Sequence, residues 1–256
     1  MIAGLRLSLS LLSIAPVGSV HTDRATAGAA MLWSPAVGLL LGAAASAVGA
    51  AVHLLGGSGL LASVAAVATL AILTRGLHLD GLADLADGLG SAQPAPGALE
   101  VMRRSDIGPF GAATLVLVFL AQVAALASAW PGDDAAALLI TAAVTGRLAV
   151  TWACRVGAPA ARPDGLGALV AGSVPTRSAA GCTAAVVLGV AVTGALLDGP
   201  ETAMALTGAM LGGLGVALLL LRTAVARLGG VTGDVLGALV ETGTTAVLVL
   251  AALMPR

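Results

Sequence analysis

The sequence has no lysine and no tyrosine, and its aromatic residues are two phenylalanines and three tryptophans. Charge of either sign is scarce as well. Of 256 residues, 10% are charged, against about 25% in soluble domains, while 58% are hydrophobic. Mean hydropathy is +1.03. These values exclude an ordinary soluble domain and place the chain among membrane proteins. All twelve positive charges are arginine, and the net charge is −1, so no global field points to nucleic acid or to an acidic partner. Cys154 and Cys182 lie far apart without a CxxC or Cys/His spacing, which favours free buried thiols over a disulfide or a metal site. Before Asp23 there is neither a clear basic n-region nor a small-x-small cleavage site, so no secretory signal is expected.

What is present is a series of apolar runs separated by turn residues. Met1 to Gly18 is apolar but short, interrupted by Arg6 and Pro16, and reads as an interfacial or re-entrant segment, because a full span needs about 20 residues. Ser34-Pro35 looks like an N-cap and first helical residue, opening a span to about Leu55. Gly56-Gly57-Ser58-Gly59 is a turn, and a second span returns from Leu60 to about Thr74. Gln93 to Gly97 reads as a linker, followed by spans at about 110–129 and 135–153, with Pro131 to Asp134 as the turn between them. Arg155 to Arg177 is a long loop. Further spans are expected at about 179–197, 202–221 and 234–253, the last two separated by a loop from Arg222 to Gly233. The expectation is a single all-α domain over 1–256: a polytopic helical bundle of about seven spans, without repeats, with a short acidic cytoplasmic helix near residue 80.

Arginine is distributed very unevenly over these connections. Arg6, Arg24, Arg75, Arg103, Arg104, Arg155, Arg162, Arg177, Arg222 and Arg227 fall on one side of a seven-span topology. The other side's loops hold Asp133, Asp134, Asp198 and Glu201, and only the terminal Arg256. Positive charge marks the cytoplasmic side, so the N-terminus is expected inside and the C-terminus outside.

The arginine side also gathers the chemistry. If Leu79 to Leu89 is helical, Asp80, Asp84 and Asp87 stand at i, i+4 and i+7, within an arc of roughly 60° at about 100° per residue. Three stacked carboxylates repel one another and call for a positive partner, such as a hard divalent cation like Mg²⁺. On a soluble protein this would be a solvated face; in a chain this poor in charge, metal binding is the stronger reading. His78 beside them has three open roles: phosphate contact, base, or partner to an Asp. A second cluster is Glu100 with Arg103, Arg104, Ser105 and Asp106, where Arg103 and Asp106 could pair at i, i+3. A third is Arg147 with the Asp164-Gly165-Leu166-Gly167 loop. In the fourth, Gly229 to Glu241, Asp234 and Glu241 share a helix face entering an apolar span, and an N-cap and a bundle contact are the plainer alternatives. His53 and His21 read as bystanders. Carboxylates for metal, arginines for phosphate oxygens and Gly-rich turns at helix starts are the parts phosphoryl transfer needs.

Gly76-Leu77-His78-Leu79-Asp80-Gly81-Leu82-Ala83-Asp84 with Asp87-Gly88 resembles a signature of the cobalamin synthase family. So do Glu100-Val101-Met102-Arg103 with Ile107-Gly108 and Gly111, and Gly230-Val231-Thr232-Gly233-Asp234 with Gly237-Ala238 and Glu241. The Gly146-Arg147 pair and the Gly165-Leu166-Gly167 loop also fit, in the family's order over most of the chain. The resemblance implies an inner-membrane adenosylcobinamide-GDP ribazoletransferase acting late in cobalamin biosynthesis. In it, a ribose hydroxyl of α-ribazole, or of its 5′-phosphate, attacks the cobinamide-linked phosphorus and GMP leaves, with Mg²⁺ required. Carried over residue by residue, it implies metal ligation by Asp80, Asp84, Asp87, Glu100, Asp234 and Glu241 and catalysis by Asp80, Asp84 and His78. Arg75, Arg103, Arg147, Gly165, Gly167, Thr232 and Gly233 would bind substrate. Other late cobalamin enzymes and the lipid bilayer are implied partners, and nucleic acid is not. Two departures stand out. The family's Arg-Asp-Ser-Arg is Arg103-Arg104-Ser105-Asp106 here, and the N-terminal Thr-Arg-Leu-Pro pattern is missing, with only Ala15-Pro16-Val17 kept.

Three rival readings fit less well. A CDP-alcohol phosphotransferase wants Asp-Gly-x-x-Ala-Arg, and Asp80-Gly81-Leu82 continues into Ala83-Asp84 instead. A membrane prenyltransferase would start its motif with Asn-Asp. A carboxylate-based transporter would put its charges near the midplane in broken helices rather than at one interface.

Overall fold

The computed structural model describes residues 2–20, 22–130 and 134–254, so His21, Asp133 and Arg256 lie outside the described residues. Eleven helices occupy them, in the order α1 (Ile2–Leu12), α2 (Arg24–Leu54), α3 (Gly59–Leu73), α4 (Leu77–Gly90), α5 (Ala95–Val101), α6 (Pro109–Ala127), α7 (Ala135–Ala153), α8 (Gly165–Val170), α9 (Thr176–Asp198), α10 (Pro200–Leu228) and α11 (Gly233–Ala252). Among the described residues extended pairing is confined to two isolated bridges, Arg155 with Val174 and Ala160 with Val231. Six helices (α2, α6, α7, α9, α10 and α11) are long and apolar enough to cross a membrane, and the bent α3–α4 pair would make a seventh. The chain is a polytopic membrane bundle. α7 is its most enclosed span, while α9 faces outward along most of its length.

The expected start at Ser34-Pro35 is overturned. The helix begins well before it, at Arg24, where the Asp23 carboxylate accepts from Thr26 N–H at 2.7 Å and caps the end. Pro35 lies inside α2, and its missing N–H would strand the carbonyl of Met31 four residues back. Two hydroxyls take over that carbonyl: Ser34 Oγ and, from α7, Thr151 Oγ1, both at 2.7 Å. The helix therefore continues through the proline because its own serine and a neighbouring span together replace the lost bond.

Three other boundaries also move. α5 starts within the expected Gln93–Gly97 linker, with prolines at its first positions. α10 runs past Leu221 to Leu228 and stops at Gly229 (φ 83°) in the left-handed region. The long loop after Arg155 contains α8. The Gly56–Gly59 turn is as expected, with Ser58 capping α3.

One end of the bundle gathers the starts of α6, α9 and α11 and the ends of α3, α7 and α10. At the other end Trp130 donates to Ser63 Oγ at 2.9 Å and its ring lies 5.5 Å from that of His53, tilted by 38°. α4 turns 88° from α3, so it lies across the arginine-bearing end instead of continuing the span. Arg75 (φ 53°) and Gly76 (φ 67°), both left-handed, form the corner.

Candidate active site

Two glycines let α4 cross α11 at backbone contact. A Cβ on Gly81 would stand 2.8 Å from the Asp234 carbonyl oxygen, and one on Gly237 would stand 3.1 Å from Cα of His78. This crossing brings residues 78–84 against residues 234–241, two segments far apart in the sequence. α11 starts cleanly because Thr232 Oγ1 accepts from Val235 N–H at 3.2 Å while its own hydroxyl donates to Asp234 Oδ2 at 3.1 Å. Behind it, Gly167 of α8 packs on the backbone of Val231 and Thr232, and Gly165 (φ 78°) takes the left-handed turn that lets α8 start.

Asp80, Asp84 and Asp234 share one pool of negative charge. α4 lies outside the spans, and its Asp84 carboxyl is pushed up to about 7 by partial burial and by Asp80, Asp234 and Asp87 in turn, against a smaller opposing pull from Arg162. Arg162 stands 3.8 Å from Asp234 and donates to the Leu99 carbonyl at 2.7 Å. Its Nε–H is buried and without a partner among the described residues.

The other expected site residues divide by what they touch. Asp87 is buried and works as a cap borrowed from another helix. Its two oxygens accept from the N–H groups of Gly108 (2.7 Å), Phe110 (3.1 Å) and Gly111 (2.9 Å), the exposed donors at the start of α6. Glu241 accepts from Gln122 of α6 at 3.0 Å, inside the bundle. Glu100 is exposed on α5, and its side chain makes no hydrogen bond or ion pair among the described residues. Arg103 pairs at 3.6 Å with Asp164 across the surface, where the sequence leaves a pair with Asp106 open, and both side chains are mostly exposed. Arg75 is exposed at the corner before α4. Cys154 and Cys182 are free.

Arg147 is buried in α7, 2% exposed. Its guanidinium lies 3.4 Å from His78 Nδ1 and the same distance from the Ala143 carbonyl. A guanidinium can only donate, so Nδ1 of His78 accepts and the proton of the neutral ring sits on Nε2. That Nε2–H is buried without a partner, like Arg162 Nε–H. Through its contact with Arg147 the ring presents Nε2–H as a hydrogen-bond donor.

Two cavities flank the carboxylates. One of about 180 Å³ includes His78, Asp80 and Asp234 and is otherwise walled by apolar residues such as Met31, Leu166 and Leu236. The other, of about 320 Å³, includes Asp84 and opens between α4, α5 and the start of α6.

Among the described residues no three carboxylate, histidine or cysteine side chains close into a ready-made metal cage. Mg²⁺ does not require one, since it commonly takes one or two carboxylates together with water and substrate phosphate oxygens. The mutually repelling Asp80, Asp84 and Asp234 suit such a shared ion.

Arg162 and Gln122 carry no motif and escape a reading by sequence. Their one signal is polarity in the wrong place: Gln122 interrupts the apolar run of α6, and Arg162 lies two residues before the Asp164-Gly165 turn.

The sequence model of a family described as cobalamin-5-phosphate synthase matches residues 4–252. An adenosylcobinamide-GDP ribazoletransferase of Frankia casuarinae is 46% identical, covering 98% of this chain and 95% of that protein. Proteins of the same name from Bradyrhizobium diazoefficiens (40% identical, 98% and 94% covered) and a Nocardioides species (39% identical, 95% and 95% covered) are similar over comparable lengths. No solved structure matches the chain.

Proposed function

Because the chain belongs to the cobalamin-5-phosphate synthase family, we propose that it transfers the adenosylcobinamide-phosphate group of adenosylcobinamide-GDP to the ribose hydroxyl of α-ribazole or its 5′-phosphate, releasing GMP. The observation that carries this reading is the meeting of Asp80 and Asp84 on α4 with Asp234 on α11, beside two buried N–H donors without partners, His78 Nε2–H and Arg162 Nε–H. Acidic oxygens for a cation next to idle donors for an anion make a site for a metal-bound diphosphate.

In this reading one or two of Asp80, Asp84 and Asp234 would hold Mg²⁺ together with substrate phosphate oxygens, and the ion would supply charge neutralisation on the diphosphate. Arg162 turns from Asp234 towards the phosphate oxygens, and His78 donates through Nε2–H to an oxygen on which charge develops. Arg147 acts one layer back, fixing the ring that donates. Thr232 and Gly233 position Asp234 through the start of α11, and Gly165 and Gly167 hold α8 against it. Asp87, Glu241 and Glu100 take no part in holding the ion.

The arginine asymmetry supports an inner-membrane protein with this end of the bundle and the N-terminus on the cytoplasmic side and the C-terminus outside. A reporter fused after Arg256 should read as external, and an internal reading would reverse the topology.

The deciding assay is GMP release by the purified protein from adenosylcobinamide-GDP. Release should require both α-ribazole and Mg²⁺. Release without the acceptor would mean a hydrolase, and no release with both present would sink the transferase reading.

A further inference from the structure

The cavity between α4, α5 and α6 is built differently from the one on the far side of the carboxylates. Its lining includes Asp84, Gln93, Arg104, Asp106 and Phe110. Asp106 and Arg104 are exposed there, and among the described residues neither side chain makes a hydrogen bond or an ion pair. The Phe110 ring lies against Gly90, so close that a Cβ there would meet ring carbons at 2.5 and 2.6 Å, yet the residue is 52% exposed. A ring supported on one side by bare backbone and open on the other is a platform for a flat heterocycle.

Resting on the transferase reading above, we propose that this cavity seats the guanine of the departing nucleotide, with Phe110 stacked on the base and the Asp106 carboxylate accepting from its N1–H and N2–H groups. Guanine offers two adjacent donors on that edge, and a carboxylate offers two adjacent acceptors. Adenine has no matching pair there. Arg104 lies in the same wall to meet a phosphate oxygen between the base and Asp84.

The two cavities then have distinct duties. In-line displacement puts the attacking and leaving oxygens on opposite sides of phosphorus. With the nucleotide in the polar cavity beside Asp84, the acceptor hydroxyl comes from the cavity beside Asp80, Asp234 and His78. Its apolar wall suits the benzimidazole-like base of α-ribazole. The corrin ring is far larger than either space and stays outside both.

The test uses the full-length protein in micelles and product inhibition of GMP release by GMP, AMP and xanthosine monophosphate. In the wild type GMP should inhibit at least tenfold more strongly than AMP. Asp106→Asn should cut that preference about tenfold and make xanthosine monophosphate the stronger inhibitor, because the Asn amide can donate to the C2 carbonyl of xanthine. A merely structural Asp106 would not produce that gain. Phe110→Leu should weaken all three nucleotides alike. Equal inhibition of the wild type by GMP and AMP, or an unchanged ranking in Asp106→Asn, would overturn the guanine site while leaving the transferase intact. A wild type that releases no GMP at all would remove both.

Discussion

Asp84 and Asp87 stand one turn apart on α4, in chemically similar sequence, and the structure gives them opposite surroundings. Asp84 faces Asp80, Asp234 and Arg162 at a crossing where negative charge accumulates and the carboxyl rises to about 7. Asp87 faces the start of α6, where three backbone donors satisfy both its oxygens. The first carboxylate lowers the stability of the fold, and under the proposed function it would hold a cation. The second holds two helices together. Like residues on one helix face thus divide between chemistry and architecture according to what the next element presents to them.

Neutralising each of them should separate the roles. Asp84→Asn should lower GMP release by on the order of 100–1,000-fold, as loss of a key electrostatic group does, while the melting temperature in micelles holds or rises. Normal turnover in this variant would end the metal claim. Because folding raises its pKa, Asp84 keeps in the folded state a proton that the unfolded chain has already lost between about pH 4 and pH 7. Stability without Mg²⁺ should therefore fall as pH rises through that window, and the slope should flatten in Asp84→Asn; an equal slope in both proteins would assign the titration elsewhere.

Wedging the crossing apart should come next in size. Gly81→Val drives a side chain into the Asp234 backbone, which should cost about 1–3 kcal/mol and also reduce turnover, because Asp84 and Asp234 part. Full activity would show that the two carboxylates need not meet. Asp87→Ala should strand the α6 donors at a cost of about 1–3 kcal/mol, read as a lower melting temperature, with turnover per folded molecule down less than tenfold. An unchanged melting temperature with lost Mg²⁺ dependence would exchange the roles of the two aspartates. The smallest effect is expected from Gln122→Leu. It breaks the bonds to Glu241 and Thr245 inside the bundle, where such bonds average about 0.6 kcal/mol each, so the melting temperature should fall only slightly; a loss of several kcal/mol of stability would show that the buried Glu241 depends on Gln122.

Much of the fold was legible because local chemistry dictates it. Apolar runs bounded by Gly56–Gly59 or by Pro200 have few solutions besides a helix in lipid, and the spans α3, α6, α7, α9 and α11 fall within a few residues of expectation. Ser34-Pro35 misled because its local signal is a helix start, whereas the carbonyl that Pro35 strands is taken up by Ser34 itself and by Thr151, 120 residues beyond Met31. The same limit applies at the site. The i, i+4, i+7 pattern identified Asp80, Asp84 and Asp87 as one face, but a helical face has an arc of its own, wide enough to meet two different neighbours.

Arg147 and Arg162 show the limit from the other side. Arg147 was the arginine with a motif, and burial places it behind His78; Arg162 had none, and the loop returns it to Asp234.

Taken alone, the sequence determined the solvent of this protein, the side on which its arginines collect and the motifs that assign its family, since each follows from composition or from neighbours a few positions apart. The tertiary structure decided which carboxylates meet, which one caps a helix and which nitrogen of His78 holds the proton. Those outcomes depend on how α4, α6, α7 and α11 cross, and the crossings are set by glycine contacts between residues that the chain keeps far apart.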